Sequence, residues 1–129
     1  MVIDTSVSVA MLQNEPQREK FAALIDGDVV RLMSAVTRVE CTFVAEGRKG
    51  EAGREALELL LGTTGIEIVA VTADQTAIAC EAFRRYGKGR HRAALNIGDC
   101  FAYALARSTG ESLLAKGNDF PLTDLSLAG

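Results

Sequence analysis

Short apolar segments alternate with helix-like segments along the whole of this 129-residue chain. The apolar, β-branched segments predict strands at residues 2–4, 29–33, 66–71 and 112–115, with a short edge strand at 125–127. Helical patterns fill the intervals between these segments. Such an alternation predicts one three-layer α/β domain over residues 1–129, in which helices flank a mainly parallel sheet.

Local signals predict where the first two helices begin and end. The hydroxyl oxygens of Thr5 and Ser6 are suited to cap the N-terminus of a helix that reaches about Leu12. Pro16 is typical of the first turn of a second helix, and Gly27 is suited to end it.

A third helix is predicted after the second strand, with Ser34 or Thr37 as its cap. Its apolar stripe is expected to face the core and consists of Val36, Val39, Phe43 and Val44. Gly47 and Gly50 are expected to end this helix, and residues 51–61 to form a separate one.

Composition excludes several classes of protein. Apolar residues make up 48% of the chain, which excludes a wholly disordered protein, and no apolar run approaches the roughly 18 residues of a membrane span. The N-terminus lacks the basic start of a signal peptide, so we expect a cytoplasmic protein without a membrane partner. Cys41, Cys80 and Cys100 are widely spaced beside a single histidine, His91, which predicts reduced core cysteines rather than a zinc site.

Four carboxylates lie where the predicted elements direct them towards one edge of the sheet. Asp4 and Asp119 follow predicted strands, and ligands collect at the carboxyl ends of parallel strands. Glu40 interrupts an apolar helix face, and Asp99 opens a helix whose small-residue face is suited to pack on the sheet. Clustered acids repel one another unless a cation or proton neutralises them. The four acids therefore predict a Mg²⁺ or Mn²⁺ site with oxygen ligands, and metal-dependent phosphoester chemistry.

Each acid also has a purely structural explanation. Asp4 suits a helix N-cap, Glu40 a buried ion pair, Asp99 a favourable helix-dipole contact and Asp119 an ordinary turn. Asp124 is either an outer acid of the same site or simply exposed. The functional interpretation depends on all four acids sharing one strand edge.

A basic stretch covers the end of a helix predicted from the Thr72 capping box to Tyr86 and the loop after it, although the net charge of the chain is −3. It contains five cations within nine residues: Arg84, Arg85, Lys88, Arg90 and Arg92. Cations beside an acidic metal site suit a polyanionic substrate such as RNA. The alternative is a solvated helix end, where arginines are favoured by the helix dipole.

The order of these motifs resembles the PIN-domain family and, more narrowly, the VapC-type toxins of bacterial type II toxin–antitoxin pairs. The resemblance covers essentially the whole chain and is most specific over residues 95–120. It is carried by Val-Ile-Asp-Thr-Ser at 2–6, Glu40, Leu-Asn-Ile-Gly-Asp-Cys-Phe-Ala-Tyr-Ala-Leu-Ala at 95–106 and Leu-Leu-Ala-Lys-Gly-Asn-Asp-Phe at 113–120.

The resemblance implies a Mg²⁺- or Mn²⁺-dependent endoribonuclease with a Rossmann-like sheet. It also implies a homodimer that a small antitoxin protein neutralises. The acidic quartet of the family corresponds here to Asp4, Glu40, Asp99 and Asp119. Asp4 and Asp99 correspond to the primary metal ligands, and Ser6 and Asn96 to supporting polar residues.

Two other classes of function remain open from the residues alone. A receiver-like or haloacid-type phosphotransfer domain also binds Mg²⁺ beside a parallel sheet, although Asp4-Thr-Ser lacks the second aspartate of the haloacid-type loop. A non-catalytic RNA- or protein-binding module would not require Asp4 or Asp99 for its activity. The absence of GxGxxG, Walker and GxSxG motifs argues against nucleotide binding and serine hydrolysis.

Overall fold

A four-stranded parallel sheet organises the computed structural model, which describes residues 1–129. The strands are β1 (Val2–Ile3), β2 (Leu32–Ser34), β3 (Glu67–Val69) and β4 (Leu113–Leu114), in the spatial order β3-β2-β1-β4. The helices are α1 (Thr5–Leu12), α2 (Arg18–Asp26), α3 (Ala35–Thr64), α4 (Ala73–Tyr86) and α5 (Ile97–Thr109), and a 3-10 turn spans Phe120–Leu122. The predicted α/β class with a parallel sheet is confirmed.

Helices cover both faces of the sheet because successive strand residues point to opposite sides. Val2 is fully buried in a core cluster with residues of α4 and α5, whereas Ile3 is fully buried in a second cluster with residues of α1, α2 and α3. Central strand β1 therefore separates two apolar cores, as the three-layer prediction requires.

The second strand begins later than predicted. Val29 is 97% exposed, and β2 runs from Leu32 to Ser34 instead of occupying residues 29–33. The Asp28 side chain accepts a hydrogen bond from the Val30 amide at 3.0 Å, so a local side-chain turn replaces strand pairing there. The predicted edge strand at 125–127 is a single parallel bridge between Leu113 and Leu127.

The predicted inward face of the third helix was wrong. Val39 is 50% exposed and Phe43 is 73% exposed, and the residues that α3 buries beside β1 and α1 in its first half are Thr37, Cys41 and Ala45. Apolar spacing predicts that a helix has an apolar face, but it does not specify which neighbour covers that face.

The predicted break between the third helix and the helix at 51–61 is present at Gly50, three residues beyond Gly47. Lys49 and Gly50 depart from helical geometry inside α3, and the φ of 57° at Gly50 favours glycine. The second half, which corresponds to the predicted helix at 51–61, ends at Thr64 and buries Leu57 completely.

Cys80 was wrongly predicted to lie in the core, although Cys41 and Cys100 are buried. Helix α4 turns Ala79 and Ala82 towards the sheet, and the position after Ala79 faces solvent because successive helical residues are about 100° apart. All three cysteines are free thiols. None of the helices combines the length and apolar character needed to cross a membrane.

Candidate active site

Asp4 leaves the carboxyl end of β1 and caps the N-terminus of α1. Its Oδ2 accepts hydrogen bonds from the Ser6 amide at 3.1 Å and from the Ser6 hydroxyl at 2.6 Å. The prediction that Thr5 and Ser6 cap this helix was therefore wrong, because both lie within its first turn. A carboxylate oxygen is the better-placed acceptor here, since the chain is still extended at Asp4.

The other oxygen of Asp4 has no partner. Asp4 is only 4% exposed, and its Oδ1 is buried without a hydrogen bond. Burial raises the pKa of Asp4, and the nearby charge of Glu40 raises it further, while the two hydrogen bonds from Ser6 oppose the shift. A buried acceptor without a partner costs free energy, so this oxygen is suited to bind a ligand that the chain itself does not supply.

Ser6 joins the ends of two neighbouring strands. Its hydroxyl donates to Asp4 and accepts a hydrogen bond from the Lys116 amide at 2.9 Å, just beyond β4. The Asp4 amide in turn donates to the Leu114 carbonyl at 3.0 Å. These contacts hold the Asp4 carboxylate in a single orientation at the sheet edge.

Glu40 extends from the half-buried side of α3 towards the start of α5. The Thr5 hydroxyl donates a hydrogen bond to Glu40 Oε1. Both carboxylate oxygens of Glu40 lie 2.5 Å from the position that a Cβ atom would occupy on Gly98. The glutamate therefore connects α1, α3 and α5 at one point next to Asp99.

Asp99 belongs to a capping box at the start of α5. Its Oδ2 accepts a hydrogen bond from the Asn96 amide at 3.0 Å, and its own amide donates to Asn96 Oδ1 at 2.9 Å. Burial and then the charges of Asp4, Glu40 and Asp119 raise the pKa of Asp99 to about 6, although the Asn96 amide opposes the shift. The fold therefore places Asp99 within electrostatic reach of the other three predicted acids.

Asp119 is the most open member of this acidic cluster, defined as Asp4, Glu40, Asp99 and Asp119. It is exposed and precedes the 3-10 turn that the buried Phe120 begins, and its side chain makes no capping hydrogen bond. Its carboxylate is thus free to bind solvent or a ligand at the rim of the site.

The acidic cluster fits a hydrated divalent cation. No group of three or more His, Cys, Asp or Glu side chains in this structure is arranged so that it could hold a metal ion. Mg²⁺ retains several waters and commonly binds only one or two carboxylates, so it does not require such a set. The unpartnered Oδ1 of Asp4 and the raised pKa of Asp99 both fit a bound cation, which would supply the missing contact and offset the repulsion.

The five basic candidates divide into engaged and free side chains. Arg84 pairs with Glu81 at 3.3 Å, and Arg90 lies over the Phe83 ring with its guanidinium carbon 5.0 Å from the ring centre. Arg85 pairs with Asp124 at 3.4 Å and covers the Tyr86 ring. Two exposed side chains, Lys88 and Arg92, make no ion pair within the chain.

Asp124 is engaged in a contact network of its own. Its Oδ1 accepts the Tyr103 hydroxyl at 2.7 Å, and its Oδ2 lies 3.6 Å from Arg107. Burial alone would raise the pKa of Asp124, but the Tyr103 hydrogen bond and the charges of Arg107 and Arg85 lower it overall. These contacts tie the C-terminal segment to α4 and α5.

Sequence reasoning missed the contacts that orient Glu40. Neither the Thr5 hydroxyl nor the space left by Gly98 was predicted to touch it. The one available signal was a glycine in the first turn of an otherwise favourable helix, since glycine lowers helix stability relative to alanine.

The family model for the PIN domain matches residues 1–125. VapC ribonuclease Mb0640 of Mycobacterium bovis is 52% identical over 126 residues, which cover 98% of this chain and 96% of that protein. The crystal structure of Mycobacterium tuberculosis VapC20, described as a sarcin-ricin loop cleaving toxin, has a TM-score of 0.77 at 21% identity and covers 96% and 95% of the two chains. A toxin–antitoxin complex from Klebsiella pneumoniae has a TM-score of 0.68 at 18% identity, with 95% and 92% coverage. The chain therefore belongs to the PIN-domain family and, within it, to the VapC ribonucleases.

Proposed function

We propose that this chain is a Mg²⁺- or Mn²⁺-dependent endoribonuclease that acts as the toxin of a bacterial toxin–antitoxin pair. The observation that carries the proposal is the buried carboxylate of Asp4, whose Oδ1 has no partner within the chain and which lies within electrostatic reach of Glu40 and Asp99. The 52% identity to a VapC ribonuclease supplies the reaction class. Hydrolysis of the RNA phosphodiester bond would leave a 3′-hydroxyl and a 5′-phosphate.

Asp4 and Asp99 are the proposed metal ligands, with Glu40 and Asp119 as further direct or water-mediated ligands. When bound, the divalent ion supplies Lewis acidity, which favours ionisation of water and stabilises the charge that develops on the phosphate. Ser6 holds the Asp4 carboxylate in place, and Asn96 does the same for the Asp99 carboxylate. These fixed carboxylates orient the reacting groups without reorganisation during the reaction.

The 52% identity to a VapC ribonuclease supports hydrolysis over phosphotransfer. A non-catalytic binding module is also disfavoured, because mutual repulsion of four acids is costly without a bound cation.

The RNA backbone is proposed to run from the acidic cluster towards the loop after α4. Lys88 and Arg92 are the first candidates for phosphate contacts, because both are exposed and neither is paired within the chain. Arg90 is available at the same loop, whereas Arg84 and Arg85 would have to exchange existing ion pairs. Salt-dependent binding is the expected signature of such contacts.

Two protein partners are proposed, a small antitoxin and a second copy of the chain. The solved toxin–antitoxin complex that shares this fold supports the antitoxin. Support for the homodimer comes from an exposed apolar patch that lines one groove between α3 and α5: Val36, Val39, Phe43 and Ile97. Phe43 is 73% and Ile97 76% exposed, and contiguous exposed apolar surface is typical of protein interfaces. The cytoplasmic location stays a prediction.

RNA cleavage by purified protein tests the proposed reaction. Wild type should cleave RNA with Mg²⁺ or Mn²⁺ and not in excess chelator, and folded Asp99→Asn protein should lose at least about a hundredfold in rate. Asp74→Asn is the matched control, because Asp74 is also an acid in the first turn of a helix but lies outside the acidic cluster. Full cleavage by Asp99→Asn protein, or by wild type in chelator, would contradict the proposal.

A further inference from the structure

Gly98 occupies the second position of α5 and is buried, one residue before Asp99. Its backbone is helical rather than left-handed, so its conformation would accept any ordinary residue. Alanine is more favourable than glycine at a helical position. The backbone of α5 therefore gives no reason for a glycine at this point.

The reason lies in the neighbouring helix. A Cβ atom added to Gly98 would lie 2.5 Å from each carboxylate oxygen of Glu40 and 2.7 Å from its carboxyl carbon. Real Cβ atoms essentially never approach other heavy atoms closer than 3.0 Å. A side chain at position 98 and the observed position of the Glu40 carboxylate therefore exclude one another.

We propose that Gly98 is a positioning residue, which acts by leaving the space that the Glu40 carboxylate occupies beside Asp99. The inference rests on the proposed ribonuclease function. The N-terminus of α5 carries a partial positive charge, which favours a nearby carboxylate. Thr5 holds the same carboxylate from α1, which leaves it little freedom to move aside.

The displacement that a methyl group would cause follows from these distances. Ordinary van der Waals contact begins at 3.4 Å, so Gly98→Ala must move the Glu40 carboxylate by about 0.9 Å from its 2.5 Å approach. Misplacement of a reacting group by about 1 Å can cost a hundredfold in rate. Gly98→Ala should therefore lower the kcat for RNA cleavage by roughly a hundredfold while Asp4 and Asp99 remain intact.

A double-mutant cycle separates this role from a general effect on folding. It compares wild type, Gly98→Ala, Glu40→Ala and the double variant, each assayed for kcat, KM and melting temperature. With Glu40 truncated, nothing remains for the methyl group to displace, so Gly98→Ala should cause no further loss of kcat. In that background it should leave the melting temperature unchanged or raise it, since alanine favours the helix. In the wild-type background it should lower the melting temperature.

Gly47→Ala is the matched control, because Gly47 lies on the same helix as Glu40 with no atom within 4 Å of its Cβ position. It should leave kcat unchanged. The proposal is overturned if Gly98→Ala cleaves RNA like wild type, or if it lowers kcat and melting temperature equally in both Glu40 backgrounds.

Folding failures and loss of the proposed function also give decisive results. If Gly98→Ala does not fold but the double variant does, the clash with Glu40 is supported, whereas failure of both overturns it. Absence of cleavage by wild type with Mg²⁺ or Mn²⁺ would refute the proposed function itself. The melting temperatures of the cycle would then still decide whether Gly98 makes room for Glu40.

Discussion

Replacing Asp99 with asparagine should stabilise the metal-free protein at neutral pH. Burial, followed by the charges of the other three acids, raises the pKa of Asp99 from 3.8 to about 6. This difference in proton affinity corresponds to about 3 kcal/mol of unfavourable free energy for the charged form. Because Asp99 is only half-buried, solvent screening reduces this figure to about 1–2 kcal/mol.

The sign and the pH window follow from the direction of the shift. The folded-state pKa of about 6 lies above the unfolded value of 3.8, so the folded protein binds the Asp99 proton more tightly. The resulting stabilisation is fully present below pH 3.8 and is lost as the pH rises through about 6. Asparagine removes the charge at nearly constant shape, and its carbonyl can still accept the Asn96 amide. The variant should therefore gain stability over wild type above pH 6.

The expected gain in melting temperature follows from the chain length. An unfolding entropy of about 2.1 cal/mol/K per residue makes 1–2 kcal/mol equivalent to roughly 4–7 °C for 129 residues. Thermal melts followed by circular dichroism, in chelator at pH 7.5, should show this difference. At pH 4 the difference should shrink to about 1 °C, since Asp99 is then largely protonated in the folded state and partly so in the unfolded state.

Added Mg²⁺ should reverse the order of the two proteins. An ion that binds only the folded state stabilises by about 2.7 kcal/mol at a hundredfold excess over Kd, or roughly 10 °C here. Wild type should show this gain, and Asp99→Asn should show much less. The Asp74→Asn control should respond to Mg²⁺ like wild type. Equal gains for all three proteins, or a metal-free Asp99→Asn variant that melts no higher than wild type, would refute this reasoning.

Three further predictions concern other parts of the molecule. Replacing both Lys88 and Arg92 with alanine should reduce the magnitude of the slope of log K against log salt for RNA binding by about 1.4. Arg84→Ala should change this slope less, because Arg84 is paired. Fluorescence anisotropy at several salt concentrations measures the slopes, and identical slopes would show that the loop does not contact RNA phosphates. Phe43→Asp should convert a dimer to a monomer in sedimentation velocity, and a persistent dimer would exclude the α3 patch as the interface. Asp124→Ala should lower the free energy of unfolding by about 1 kcal/mol in urea melts, because it removes the acceptor of the Tyr103 hydroxyl. An unchanged midpoint would show that the contacts of Asp124 do not stabilise the fold.

Several helix ends were predicted from the sequence because capping is local. Ser34 caps α3 and Gly27 follows the last residue of α2, as predicted, whereas Asp4 rather than Thr5 or Ser6 caps α1. The start of β2 was not predicted, because the Asp28 side chain competes for the backbone that would otherwise pair. The exposure of Phe43 was also not predictable, because it depends on whether another surface covers α3.

The candidate site was only partly predictable, because local sequence patterns do not indicate contacts between distant elements. Asp4 and Asp119 were assigned to one sheet edge by topology alone, and Asp99 by the small residues that follow it on α5. The contact between Glu40 and Gly98 joins positions 58 residues apart on different helices, counted from the sequence. No local spacing indicates such a contact.

The structural role of Asp4 does not explain its charge. The neutral side chains of Ser34 and Thr72 cap α3 and α4 in the same way, so a serine would suffice to cap α1. Asp4 instead places a carboxylate with a raised pKa in the interior, leaves Oδ1 without a partner and raises the pKa of Asp99. Each of these features lowers the stability of the metal-free fold. A cation bound between Asp4 and Asp99 would relieve all three, which is why the melting experiment with Mg²⁺ is a direct test of why this acid is buried.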